Sequence, residues 1–302
     1  MARGRANDTL QIIEATNEIL KTNNPTTVRF LLYRLISEGL LESTKQYGKL
    51  TNILRDARIR GEVDDDAFVD NKRVLHQSVT WQNLSSFKEE MKKWYNKDHW
   101  DRQEFQPILL VEKATVGDVI KGTCAEYQVP CFASQGYFSR PFLCKIADLI
   151  LKTKRQALIA YVGDHDASGL DMERAARMGN ALFGTVRREG LYEILTGMPG
   201  GEEAWENLTW ERLAITEDDL RSFKGPQLVA AKEDTEDGKK GDPRAKAYVE
   251  TYGRFGAEVE ALDQTVLLNR VRNFIFLHMD PKAWDASEAI ETQELERLAE
   301  LQ

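Results

Sequence analysis

Three acids stand where the edge of a sheet would expose them. Glu112 directly follows the apolar run Pro107–Val111, and Asp164 and Asp166 follow the run Ala157–Val162 within Tyr161-Val-Gly-Asp-His-Asp-Ala-Ser-Gly169. Each run is short and continuously apolar, as in a strand buried on both faces of a parallel sheet. The carboxyl ends of such strands are left open by the crossovers, and reactive residues gather there. Alternate residues of an extended segment face the same way, so Asp164 and Asp166 can converge while His165 points elsewhere. If the two strands are neighbours, Glu112 completes a trio. Like charges at close range repel unless a cation lies between them, and hard oxygen ligands around an open shell suit Mg²⁺ (or Mn²⁺). A divalent ion held there neutralises charge developing on a phosphoryl oxygen. The competing reading is structural: Asp166 or Ser168 caps the helix that follows.

These acids need a scaffold, and the text from Gln106 supplies one. After the strand at 107–111 come a helix over 115–127, a strand over 129–133, a helix over 139–151, the strand at 157–162 and a helix over 168–183. Strand and helix alternate, which predicts an α/β body with a parallel sheet. Stretches 197–203 and 232–242 read as surface loops.

Ahead of it, residues 8–21 and 27–38 read as helices, the second started by Thr26 or Thr27 and stopped by Gly39, and a third runs from Thr44 to about Arg60. On that third helix Tyr47, Leu50, Ile53, Leu54 and Ala57 share one face, while Lys45, Lys49, Asn52, Arg55 and Arg60 share the other. Gly61 ends it, and residues 62–74 are expected to form a short hairpin. Three helices and a hairpin describe a winged helix-turn-helix whose third helix enters a DNA major groove. A solvated basic helix in a protein-binding module is the plainer alternative. Charge separates the two regions: residues 1–60 hold ten Lys/Arg against six acids, within a chain of 302 residues whose net charge is −8. A basic module thus precedes an acidic body. Between them, Trp81, Phe87, Trp94, Tyr95, Trp100 and Phe105 read as a packing seam joining the domains.

Several classes are excluded. The 42% hydrophobic content rules out a disordered chain. Cys124, Cys131 and Cys144 show no zinc-type spacing and are odd in number, which suits a reducing cytoplasm. No stretch approaches the roughly 20 apolar residues of a membrane span, and the start lacks the apolar core of a signal peptide. Gly238-Lys-Lys-Gly241 has no strand and helix around it, so no Walker-type ATP loop is present. Asp-x-Asp-x-Ser also suggests haloacid-dehalogenase-like phosphatases, but there the motif ends the first strand of the domain, and here it ends the third.

The order of these motifs resembles the Toprim family, and more closely the topoisomerase VI A subunit, the meiotic double-strand-break protein and the shorter Mini-A relatives. Leu110-Val-Glu-Lys113 is similar to the family's first strand with its catalytic glutamate, and Ser134-Gln-Gly-Tyr-Phe-Ser-Arg140 to the glycine turn after the second. Gly163-Asp-His-Asp-Ala-Ser-Gly169 is similar to Asp-x-Asp-Pro-x-Gly. Segments 212–220 and 258–262 resemble two further stretches of the A subunit. Ala167 stands where proline is usual and Gly256 where lysine is frequent. In Arg29-Phe-Leu-Leu-Tyr33, Tyr33 falls on the position of the family's tyrosine nucleophile and Leu32 replaces the tyrosine before it.

The resemblance implies an N-terminal winged helix-turn-helix over 1–78, an aromatic connecting segment over 79–105, a Toprim domain (a Rossmann-like parallel sheet) over 106–280 and a helical tail over 281–302. It implies Glu112, Asp164 and Asp166 as metal ligands, Tyr33 as attacking group assisted by Arg29, and Lys45, Lys49, Arg55 and Arg60 on the double-stranded DNA backbone. Tyr33 of one protomer would meet the acids of another, so cleavage requires a homodimer, and strand passage a separate ATPase subunit. Two alternatives stand beside this type IIB topoisomerase A-like reading. One is a Toprim nuclease that uses water, with Tyr33 a core residue, as in mobile-element or defence systems. The other is a non-catalytic DNA-binding regulator. His165 is expected to face solvent, and Glu260 to pair with an arginine.

Overall fold

A computed structural model describes residues 7–64, 66–68, 79–179, 188–234 and 240–300. The chain begins with helices α1 (Asn7–Leu20), α2 (Val28–Ser37) and α3 (Tyr47–Ile59), the last entered through a tight turn at Thr44–Gln46. Thr27 caps α2 by accepting from the Phe30 amide at 3.2 Å. Gly39 and Gly61 follow α2 and α3 at φ +76° and +71°, a conformation that glycine adopts without strain. Ile12, Ile19, Leu31, Leu35, Leu50 and Leu54 form their shared core. Lys45, Lys49, Asn52, Arg55 and Arg60 are exposed, whereas Tyr47 stays partly exposed beneath the Arg29 guanidinium. Most of the hairpin expected at 62–74 lies outside the described residues; Phe68 bridges Thr26, whose amide donates to Ala67 O at 3.0 Å.

The aromatic segment divides rather than forming one seam. Helix α4 (Leu84–Trp94) has no buried residue, and Trp81 edges onto Phe87 while Trp94 is 62% exposed. Trp100, 1% exposed, packs instead on Trp284 near the C-terminus. The helical unit meets the body elsewhere, through α2. Thr26 donates to Gln264 at 2.7 Å, Arg34 pairs with Asp263 at 2.7 Å, and Arg29 grips Glu258 with two nitrogens.

The body is α/β. Strands β1 (Phe105–Val111), β2 (Cys131–Ala133), β3 (Gln156–Val162) and β4 (Thr209–Ala214) form one parallel sheet in the order β2-β1-β3-β4. Helix α5 (Ala114–Glu126) links β1 to β2, and α6 (Arg140–Thr153) carries the chain from β2 past β1 to β3. Alternate strand residues face opposite sides. Leu109, Val111, Ala160 and Val162 pack with α5, while Ile108, Leu110, Ile159 and Tyr161 pack with α6. Sequential crossovers thus lie on opposite faces, which makes the β1–β3 gap the point where the winding reverses. After β3 come α7 (Ala167–Met178), α8 (Leu191–Thr196) and α9 (Gly201–Glu206), then β4 and α10 (Glu217–Ser222). A small antiparallel pair, β5 (Val229–Ala230) with β6 (Phe255–Gly256), flanks α11 (Ala245–Tyr252). Helices α12 (Gln264–Leu277) and α13 (Pro281–Glu300) complete the described chain, Leu267, Val271 and Ile275 of α12 covering the α5 side. Among the described residues no helix is long and apolar enough to cross a membrane.

Candidate active site at the carboxyl edge of the sheet

In register, Val111 lies opposite Val162, so the chain leaves β1 at Glu112 beside the point where it leaves β3 at Gly163. The two strand ends are tied, Glu112 N donating to Val162 O at 2.9 Å. Glu112 and Asp164 are therefore brought together at the reversal point. The Asp164 amide donates to Glu112 Oε2 at 2.9 Å, and Asp164 Oδ1 accepts from the Val259 amide at 2.9 Å. Glycine at 163 is a packing requirement: a Cβ there would lie 2.6 Å from Glu112 Oε2 and 2.5 Å from the Tyr161 ring.

Asp166 takes the capping role. Its Oδ1 accepts from the Gly169 amide at 2.7 Å at the start of α7. Among the described residues no three His, Cys, Asp or Glu side chains are arranged to close on a metal ion. The cation in contact with the acids is Lys113, whose Nζ lies 2.8 Å from Asp164 Oδ2, 2.9 Å from Glu260 Oε2 and 3.9 Å from Glu258 Oε2. Glu258 in turn receives Arg29 Nε at 2.9 Å and the Tyr33 hydroxyl at 3.3 Å. A continuous chain of polar contacts thus runs from Glu112 to Tyr33.

Its charges are unbalanced. Glu112, Asp164, Glu258 and Glu260 meet two cations, Lys113 and Arg29, with Asp166 next along the chain. Burial and then Asp164 push the Glu112 carboxyl, 4% exposed, up to about 8. Burial outweighs Lys113 at Asp164, which rises to about 6. Lys113 itself is held protonated, since Glu260 and Asp164 more than offset its burial. Partial burial is outweighed at Glu258, where the Arg29 bonds and Lys113 hold the carboxyl below the usual range. Hard oxygens with surplus negative charge suit a divalent cation in kind, but Asp166 is turned to the cap of α7 and the three acids do not close on one point.

Tyr33 is 3% exposed and sits with Phe30 in the core of the body. Burial, then Glu258, raise its phenol above the ordinary range, which makes it a hydrogen-bond donor rather than an anion. Arg29 is ion-paired rather than solvated. His165 is not a solvent-facing filler: it is 2% exposed, its backbone pairs with Ala257 and its Nδ1 lies 3.0 Å from the Tyr248 hydroxyl. The Asp164-His-Asp166 turn is folded under β6, and Gly256 permits this, because a Cβ there would come 2.5 Å from His165 O. Glu260 pairs with Lys113 and not with an arginine. Lys45, Lys49, Arg55 and Arg60 lie on α3 and its flanks, apart from this chain of contacts; Arg55 pairs with Asp56 and Arg60 with Glu62.

Sequence reasoning passed over Lys113, Glu258 and Arg212. One Arg212 nitrogen lies 3.0 Å from Gly163 O, 3.2 Å from Asp164 O and 3.0 Å from Ile215 O, while its Nε donates to Glu173 at 2.7 Å. It gathers the turn that carries Asp164. No protein-family model matches this sequence, and no curated protein matches it. The class is therefore defined by fold and site alone: an α/β protein whose parallel sheet reverses its winding at a buried acid cluster.

Proposed function

We propose that the chain is a DNA-binding, Mg²⁺- or Mn²⁺-dependent phosphodiester-cleaving protein of the winged-helix and Toprim type, similar to the topoisomerase VI A subunit, with water as the attacking group. The observation that supports this best is the meeting of Glu112 and Asp164 at the β1–β3 reversal point, with the Glu112 carboxyl pushed up to about 8. A divalent cation, if held by Glu112, Asp164 and Asp166, would supply the positive charge that a phosphoryl group needs as its ester bond breaks. Asp164 is held in place by Val259 and Lys113, and Asp166 by the cap of α7. Burial of Tyr33 and its bond to Glu258 favour water over the phenol.

The transesterification reading keeps one supporting observation: a single carboxylate, Glu258, separates Tyr33 from Lys113 at the acid edge. On that reading the working form is a homodimer served by a separate ATPase subunit. Incubating the protein with supercoiled DNA and Mg²⁺ or Mn²⁺ decides between them. Water attack leaves free ends, and Tyr33→Phe then cleaves within about threefold of the parent. Protein covalently linked to DNA 5′ ends, lost in Tyr33→Phe, replaces this reading by transesterification. Shifted but intact DNA leaves a non-catalytic binder.

The DNA contact belongs to α3 and the turn before it. Lys45 and Lys49 are exposed there. Lys45→Glu with Lys49→Glu is expected to weaken duplex binding uniformly across sequences. The slope of log affinity against log salt should fall by roughly 2, as for two lost phosphate contacts. An unchanged slope in a fluorescence titration places the DNA elsewhere.

A further inference from the structure

We propose that Cys124 and Cys131 form an oxidisable dithiol, a site that hydrogen peroxide converts to an intrachain disulfide between the end of α5 and the edge strand β2. The fold brings the two sulfurs together. Cys131 opens β2 in register with Leu109 of β1, whose side chain faces the α5 side of the sheet, so Cys131 faces that side too. Cys124, in the last turn of α5, is 2% exposed and lies in the same layer. The turn between them is closed by the Val129 amide, which donates to Cys124 O at 2.8 Å. Across this layer the Cys124 thiol donates to the Cys131 sulfur. Cys144 lies with α6 on the opposite face of the sheet, apart from the pair.

The contact also orders the chemistry. Its bond to Cys131, and then burial, hold Cys124 protonated, and the same bond keeps Cys131 below the ordinary thiol value. Cys131, only partly buried, is therefore the thiolate that meets the oxidant. Its sulfur attacks one peroxide oxygen: an S–O bond forms, the O–O bond breaks, and the departing hydroxide becomes water with the proton that Cys131 gave up. The Cys124 sulfur then attacks the Cys131 sulfenic acid. The S–S bond forms, the S–O bond breaks, and the second hydroxide takes the Cys124 proton. Two thiols and one peroxide become one disulfide and two waters. The new bond closes a short loop and pins β2, a strand of 3 residues at the sheet edge, to the helix beside it.

The test is a brief exposure of the full chain to a small excess of hydrogen peroxide, read by intact mass, thiol titration in denaturant and peptide mapping. The parent is expected to lose the mass of two hydrogens and to fall from three titratable thiols to one. Mapping should give a peptide linked through Cys124 and Cys131 that dithiothreitol separates. The oxidised chain should melt about 3–8 °C above the reduced one, the scale for closing a short loop. Cys144→Ser should behave as the parent does. Cys124→Ala, which keeps the layer apolar, should instead accumulate a sulfenic acid at Cys131 that dimedone traps. If that variant does not fold, the linked peptide from the parent still decides. Three thiols left after treatment, a parent that stops at sulfenic acid or passes to sulfinic acid with no link, or a link through Cys144 or between two chains overturns the inference.

Discussion

Glu112→Gln is expected to melt higher than the parent at about pH 9 and at the same temperature near pH 4. The sign follows from the carboxyl at about 8 in the folded chain against an ordinary 4.5. Between those values the folded protein keeps a proton that the unfolded chain releases, so stability declines as pH rises through the window. Below it both states are protonated and the glutamine changes little. Above it the parent buries a carboxylate beside Asp164, whereas glutamine presents a neutral oxygen to the Asp164 amide. The gain is roughly 2–4 kcal/mol after allowing for the coupling to Asp164, or on the order of 5–10 °C. Under the proposed function, saturating Mg²⁺ should stabilise the parent at alkaline pH and leave the glutamine variant nearly unmoved. Melting curves across pH, with and without Mg²⁺, measure both effects. A glutamine variant that is less stable throughout would mean that the Glu112 charge is already neutralised.

Asp164 and Asp166 are expected to matter equally for cleavage and unequally for the fold. Asp164→Ala removes the partner of the Val259 amide and of Lys113 in a buried setting, leaving a lysine short of one counter-charge. Breaking such a pair costs about 3–5 kcal/mol. Asp166→Ala removes a helix cap, worth about 1 kcal/mol. Under the proposed function each lowers divalent-dependent nicking of supercoiled DNA by at least about 100-fold, the scale of losing one electrostatic contact to a transition state. The pair is informative because Asp166→Ala stays folded. Full nicking by folded Asp166→Ala would remove that residue from the site, and full nicking by Asp164→Ala would remove the site.

Legibility followed burial. β1 and β3 were readable as strands because both faces are covered, which makes every position apolar. β4, one of the two edge strands, was missed because Thr209, Glu211 and Arg212 interrupt its apolar pattern. The third helix was placed by its two faces, although Tyr47, grouped with the core, remains partly exposed. His165 was misread because alternation in a strand says which way a side chain points, and not whether another segment arrives to cover it; Tyr248 and Tyr252 of α11 meet its ring, and Ala257 pairs with its backbone. The aromatics at 79–105 looked alike as composition and separate by burial: Trp100 is enclosed against Trp284 of α13, whereas Trp81 and Trp94 stay exposed.

The residue order dictated where carboxylates would follow apolar strands, since a strand buried on both sides has to end in polar text where it meets water. It likewise dictated the capped helices, the basic face of α3 and the αL glycines, all matters of spacing within a few residues. The meeting of Glu112 with Asp164 depended on β1 and β3 being adjacent, a result of crossovers passing to opposite faces. So did the presence of Lys113, Glu258 and Glu260 among the acids, and the pairing of Arg29 and Tyr33 with a carboxylate more than two hundred residues away. Ion pairs of that separation leave no periodic trace in a chain, because the entropy of closing the loop is met by the packing of whole elements and not by the pair itself.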